Sequence, residues 1–235
     1  MATYLLVHGA WHGGWCWKKL TPLLRSADHE VFTPTLTGLG ERAHLASPDI
    51  DLSTHIRDVL GVLEYEDLAK VVLVGHSYGG MVITGVADRV AERLAHLVYL
   101  DAHVPRDGQA AGDLMPPGRI DRLQEAARAS GEGWRLPPFP AERYGVTDDA
   151  DVRWMSPKLT SHPLKTMLEP VRLKNEASQA LPRTYIYCNN PAYGLFEPYG
   201  ERAQAEGWPY HELATGHDAM ITQPRALAEI LLKLA

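Results

Sequence analysis

The chain has 235 residues, 45% hydrophobic and 22% charged, which suits one α/β domain with an insertion and a core large enough to hold it. Its formal net charge of −6 argues against nucleic acid or an anionic membrane as a partner, since both select basic surfaces. No apolar run approaches the roughly 20 residues of a membrane span.

The apolar start Tyr4–Val7 is too short for the core of a signal peptide. Cys16 and Cys188 form neither a CxxC pair nor a disulfide framework, so two reduced thiols in a cytoplasmic protein are expected.

Short apolar runs alternate with longer helical patterns. YLLVH (4–8) reads as a buried strand, KKLTPLLRSA (18–27) as an amphipathic helix, and EVFTPTL (30–36) as a strand that Pro34 brings to its end. In 51–66, Ile56, Val59, Leu60 and Leu63 recur at the spacing of one helix face. KVVLVGH (70–76) is the clearest strand; a helix over 78–93 and a strand over 96–102 follow. Strands at 183–189 and 208–213 bracket a helix near 196–206, and 224–234 closes the chain as a helix with Pro224 in its first turn. Strands separated by helices predict βαβ units and a mostly parallel sheet flanked by helices.

The pattern breaks at 103–182, which holds ten of the 17 prolines and no buried strand. It reads as an insertion of short helices and loops between the two parts of a core, 1–102 and 183–235. It follows a strand end, where ligands of open α/β sheets bind, and is therefore expected to form a helical cap, or lid.

VVLVGHSYGGMVI (71–83) runs strand, tight turn, helix and contains G-x-S-x-G as Gly75-His76-Ser77-Tyr78-Gly79. A nucleophilic serine needs such a turn to lift its Oγ above the sheet, and the glycines relieve the crowding around it. HGAWHGGWCW (8–17) follows the first strand, where a loop supplies the second amide of an oxyanion hole. The N–H groups of Ala10 and Tyr78 are the expected donors, while Trp15 and Trp17 read as packing. His8 and His12 have the i, i+4 spacing of a metal pair. They lie across glycines with no carboxylate nearby in sequence, so no metal is expected. ELATGHDAMI (212–221) puts His217 just after the last strand, where a general base reaching Ser77 belongs.

Together HGAWHGGWCW, GHSYGGM and GHDAM resemble the α/β-hydrolase superfamily, in particular the branch of plant methylesterases, hydroxynitrile lyases and bacterial esterases related to pyrethroid hydrolases. The resemblance implies an α/β-hydrolase fold, a serine hydrolase without a cofactor, and a helical cap over a mostly apolar pocket. The lyases carry a threonine where this chain has Gly9 and a lysine where it has Asp218. That lysine handles cyanide as an anion, so the departures favour ester hydrolysis.

In the lyases and methylesterases the triad acid follows the strand matching TYIYC (184–188), and here that position is Asn189. Asp101, ending the strand after the nucleophile helix, is the alternative acid; certain haloalkane dehalogenases, relatives in the same superfamily, place theirs there. A carboxylate there would hold the Nδ1–H tautomer of His217 and balance the imidazolium. Asn189 is the rival, able to accept the hydrogen bond but not to compensate charge. Asp218, adjacent to His217, would need an awkward loop to meet the far side of the ring.

Trp134, in the proline-flanked stretch GEGWRLPPFP, is the expected substrate contact, and Trp154 reads as cap core. The partner expected is a small hydrophobic or aromatic ester, with lactones and thioesters satisfying the same chemistry and a homodimer left open. The alternatives are a small-molecule-binding protein on a retired hydrolase scaffold, invited by Asn189, and a hydroxynitrile lyase.

Overall fold

The computed structural model describes residues 1–234. In chain order the strands are β1 (Thr3–Val7), β2 (Glu30–Phe32), β3 (Val71–His76), β4 (Leu94–Leu100), β5 (Arg135–Leu136), β6 (His162–Pro163), β7 (Arg183–Cys188) and β8 (Tyr210–Leu213). All but β5 and β6 join one sheet in the order β2-β1-β3-β4-β7-β8. Every neighbouring pair in it is parallel. A parallel sheet is covered on both faces, which is why all of VVLVGH in β3 is buried.

The α-helices are α1 (Thr21–Arg25), α2 (Leu52–Tyr65), α3 (Gly79–Val90), α4 (Arg119–Ser130), α5 (Asp149–Met155), α6 (Lys165–Leu168), α7 (Glu176–Gln179), α8 (Glu197–Ala205), α9 (Ala219–Thr222) and α10 (Pro224–Leu231). The start of α2 shows the local logic. Asp51 caps it, its Oδ1 accepting the Thr54 N–H at 2.9 Å, and Leu52, Ile56, Val59 and Leu63 then form one buried face.

Among the elements that are shorter than their patterns, two have a boundary set by proline. β2 stops at Phe32 rather than 36, because Pro34 has no N–H to give a ladder. The helix expected from 18 begins at Thr21, after a 3₁₀ segment Gly14–Lys19, since Pro22 belongs in a first turn.

Register aligns the functional loops. Val7 pairs with Gly75, His76 with Leu100, Leu100 with Ile186, and Cys188 with Leu213. The carboxyl ends of β1, β3, β4, β7 and β8 therefore share one edge. The chain leaves β1 for β2 on one side and returns to β3 on the other, the reversal that opens a crevice in such sheets.

Between β4 and β7 the chain carries α4–α7 and the antiparallel β5–β6 ribbon, a short pairing that the loop-like composition did not announce. This stretch meets the carboxyl edge directly. Thr160 N–H donates to Trp11 O at 3.0 Å, and Asp218 N–H donates to Tyr144 O at 3.1 Å. Cys16 and Cys188 are buried and unbridged. Among the described residues no helix is long and apolar enough to cross a membrane.

Candidate active site

Ser77 occupies the turn from β3 into α3 with φ of 55°, a left-handed conformation that costs a non-glycine residue about 1–2 kcal/mol. The surroundings enforce it. Ser77 N–H donates to Leu100 O at 3.2 Å, and Ser77 O accepts from Gly80 N–H at 3.1 Å and His103 N–H at 3.2 Å. The helix start packs so close to β1 that a Cβ on Gly79 would sit 2.7 Å from Val7 O. The serine is half-buried, and its Oγ takes part in no hydrogen bond among the described residues.

His217 lies in the loop after β8. Its Nδ1 is 2.6 Å from Asp101 Oδ2, with both side chains out of solvent. Asp101, one residue beyond β4, has φ of 41° and donates its N–H to Ile186 O at 2.7 Å. Its Oδ1 accepts the Cys188 N–H at 3.3 Å, so β7 supplies an amide to this carboxylate. Burial pushes the Asp101 carboxyl up, against that amide.

The imidazole is pressed against the serine turn. His76 Nε2–H donates to His217 O at 3.0 Å, and the two rings are 4.4 Å apart. Tyr193 and Phe196 stack on His217 at 4.4 and 5.0 Å. Burial holds His217 down to about 3; the Asp218 carboxylate opposes this, while the charges of His12, Arg119 and Arg143 reinforce it. The 2.6 Å contact with Asp101 places Nδ1 as the ring nitrogen that carries the proton.

Asn189 and Asp218 are placed elsewhere. Asn189 is exposed, and its Nδ2–H donates to Glu212 Oε2 at 2.7 Å. Asp218 turns from the His217 ring to His12, with Oδ2 2.9 Å from Nε2. His12 Nδ1 is 2.7 Å from Ala10 O. Both ring nitrogens face acceptors, so His12 is an imidazolium paired with a carboxylate. Although burial opposes the charge, Asp218 and the Ala10 carbonyl raise His12 overall.

The loop after β1 is clamped residue by residue. Leu36 N–H donates to His8 Nε2 at 3.1 Å, which leaves the proton on Nδ1 to bond Gly9 O at 2.8 Å. In a trans peptide the N–H points opposite to the C=O. Anchoring Gly9 O therefore orients the Ala10 N–H. Neither Ala10 N–H nor Tyr78 N–H donates to an acceptor among the described residues. Gly9 itself faces the serine, and a Cβ there would lie 2.8 Å from Ser77 Cβ.

Trp11 (φ 65°) sends its N–H to His162 Nδ1 at 3.4 Å and its indole N–H to Leu136 O at 3.0 Å.

A cavity of about 20 Å³ beside Ser77 is lined by Trp11, His103, Met115, Arg119, Leu123, Tyr193, Leu195 and Phe196. Met115 and Leu195 also line an open groove of about 570 Å³. Trp134, the expected substrate contact, lines neither. Its indole lies under the Arg135 guanidinium at 4.4 Å, and its carbonyl accepts from Leu164 N–H at 2.8 Å. The β5–β6 pairing draws it to the ribbon, and the indole at the serine is Trp11 instead. His103, Tyr193 and Phe196 also line the serine cavity, and their patterns in the chain do not mark them for it. Only the nearness of His103 to Asp101 hinted at one of them.

His76, His217 and Asp218 offer ligand atoms within 4.8 Å of one another. His76 Nε2 and Asp218 Oδ2 are already engaged, and His8 and His12 spend both ring nitrogens within the protein.

This fold and serine–histidine edge define an α/β hydrolase. The alpha/beta hydrolase family model matches residues 4–230, and the chain belongs to that family. It is 42% identical to the carbendazim hydrolyzing esterase of Nocardioides sp. (strain SG-4G), with 100% of both chains covered. It is 28% identical to pheophorbidase of Raphanus sativus, covering 98% of this chain and 92% of that one. An extracellular alpha/beta-hydrolase from a Paenibacillus species superposes with a TM-score of 0.85 at 25% identity, covering 100% of this chain and 99% of that one.

Proposed function

We propose that the protein is a serine esterase acting on small hydrophobic or aromatic carboxylic esters, with Ser77, His217 and Asp101 as its triad. The observation that carries this reading is the 2.6 Å bond from His217 to the buried Asp101, made by a ring packed against the Ser77 turn. Such a carboxylate holds the Nδ1–H tautomer and leaves Nε2 unprotonated to act as the base. The relatives named for ester cleavage support the reaction class.

Ser77 Oγ attacks the ester carbonyl carbon as its proton passes to His217 Nε2. The carbonyl oxygen becomes an oxyanion that the Ala10 and Tyr78 N–H groups receive; one such donor is typically worth about 10²–10³ in rate. Collapse expels the alcohol, which takes the proton from His217. Water, deprotonated by His217, then attacks the acyl-enzyme and releases the acid and free Ser77. Residues 103–182 act as the cap that keeps bulk water from these steps. Two unbridged, buried thiols fit a reducing compartment.

The lyase alternative is disfavoured by Gly9, where a side chain would press on Ser77. It is also disfavoured by Asp218, whose negative charge would repel cyanide. The binding-protein alternative loses its motive once Asn189 is not the group that holds His217.

The test is turnover of a short-chain p-nitrophenyl ester by wild type and Ser77→Ala, with fluorophosphonate labelling. Loss of both turnover and label in the variant is expected. Full turnover by Ser77→Ala overturns the mechanism.

A further inference from the structure

Next to the serine cavity lies a second one of about 290 Å³, lined by Arg119, Arg122, Leu123, Ala126, Phe139 and Arg143. Half of this lining is guanidinium, and none of it is carboxylate. The chain as a whole carries −6, so a cationic groove here runs against its average.

The placement follows from the helix. Arg119, Arg122, Leu123 and Ala126 fall at i, i+3, i+4 and i+7 of α4, which makes them one face. Arg143 joins them from the 3₁₀ segment Ala141–Tyr144. None of the three arginines forms an ion pair among the described residues. Among the described residues their one side-chain hydrogen bond is from Arg119 to the Tyr193 hydroxyl at 3.2 Å. Three like charges facing one groove repel each other unless an anion comes between them.

The groove is continuous with the chemistry. Arg119 and Leu123 line both cavities. The guanidinium carbons of Arg119 and Arg143 lie 5.4 and 4.9 Å from the Tyr193 ring centre, and that ring stacks on His217 at 4.4 Å. Both charges are thus within about one Debye length of the base at ordinary salt. Leu123, Ala126 and Phe139 supply an apolar surface between the guanidinium groups, and an apolar or aromatic segment fits such a surface.

We infer that this groove receives an anionic end of the substrate, so that the preferred ester carries a carboxylate or similar oxyanion on an apolar segment beyond the cleaved bond. The inference rests on the esterase reading above and adds a substrate class to it. Guanidinium groups suit the task because they bind carboxylates through paired N–H donors.

The test compares kcat/KM for p-nitrophenyl butyrate with that for the mono-p-nitrophenyl half-ester of glutaric acid, at low and high salt. Wild type is expected to favour the anionic ester by about tenfold at low salt, the scale of two partly solvated charge-assisted contacts. High salt should shrink the preference. Arg122→Gln/Arg143→Gln should bring the ratio of the two esters toward one, and Arg143→Glu should invert it. Arg122 and Arg143 are exposed, so these variants do not disturb the core. A ratio near one that neither salt nor substitution moves overturns the inference and leaves the esterase reading standing. Failure of folded wild type to cleave either ester removes that reading, and this inference with it.

Discussion

His12 and Asp218, 206 positions apart, meet at 2.9 Å with side chains 1% and 0% exposed. The pair joins the loop carrying Ala10 to the loop carrying His217. A buried ion pair is weak evidence of net stability, but removing one partner strands a charge at a cost of about 3–5 kcal/mol. Asp218→Ala is therefore expected to lower unfolding free energy by about that amount, measured by urea denaturation. His12→Leu/Asp218→Leu should lose less than the sum of its single changes. Additive losses would show that the two side chains do not act as a pair.

Stability should fall in acid. Burial first, with neighbouring positive charge, holds His103 and His217 near 3; burial also brings His8 to about 3 against its bond to Gly9. The unfolded chain takes up these protons near pH 6.5 and the folded protein only near 3. The contribution is thus complete above about 6.5 and is lost as pH falls through that window. Each such group contributes at most about 1.4 kcal/mol per pH unit in this direction, and the Asp101 carboxyl, pushed up by burial, works against them. His12 also works against them, since its raised value gives stability that disappears as pH rises through it. Urea midpoints should decline steadily between about pH 7 and pH 5. A flat profile would contradict the neutral, buried state of these rings.

Gly9 is the narrowest point of the serine edge. Gly9→Ala puts a methyl group where Ser77 Cβ leaves only 2.8 Å, so the loop must retreat and carry the Ala10 amide with it. Ester turnover is expected to fall by about 10², the effect of losing one oxyanion donor, with KM changed far less than kcat. A variant as fast as wild type would show that Ala10 N–H is not a donor in the reaction.

The pieces most legible in the sequence were those written locally. GHSYGG marks its own turn because the valine strand and the glycines impose it, and six core strands showed in runs of apolar residues. β2 and α1 were overextended where Pro34 and Pro22 decide the boundary. What did not show were partners brought together across the sheet edge. The proline-flanked setting of Trp134 suggests a pocket residue, whereas β5–β6 pairing fixes it under Arg135. The arginine groove depends on where residues 103–182 settle, and the His12–Asp218 pair on the register that brings the ends of β1 and β8 to one edge; no short-range pattern encodes either.

The most direct test of the account sets Asp101→Asn beside Asn189→Ala in hydrolysis of a short-chain p-nitrophenyl ester at neutral pH, with folding checked. Asp101→Asn should lower kcat by about 10³–10⁴, because the amide can present the wrong hydrogen-bonding face to His217 Nδ1 and carries no charge. Asn189→Ala should remain within a few-fold of wild type, since that side chain bonds Glu212 at the surface. An active Asp101→Asn protein alongside an inactive Asn189→Ala protein would contradict the assignment and return the acid's place to the strand end at 189.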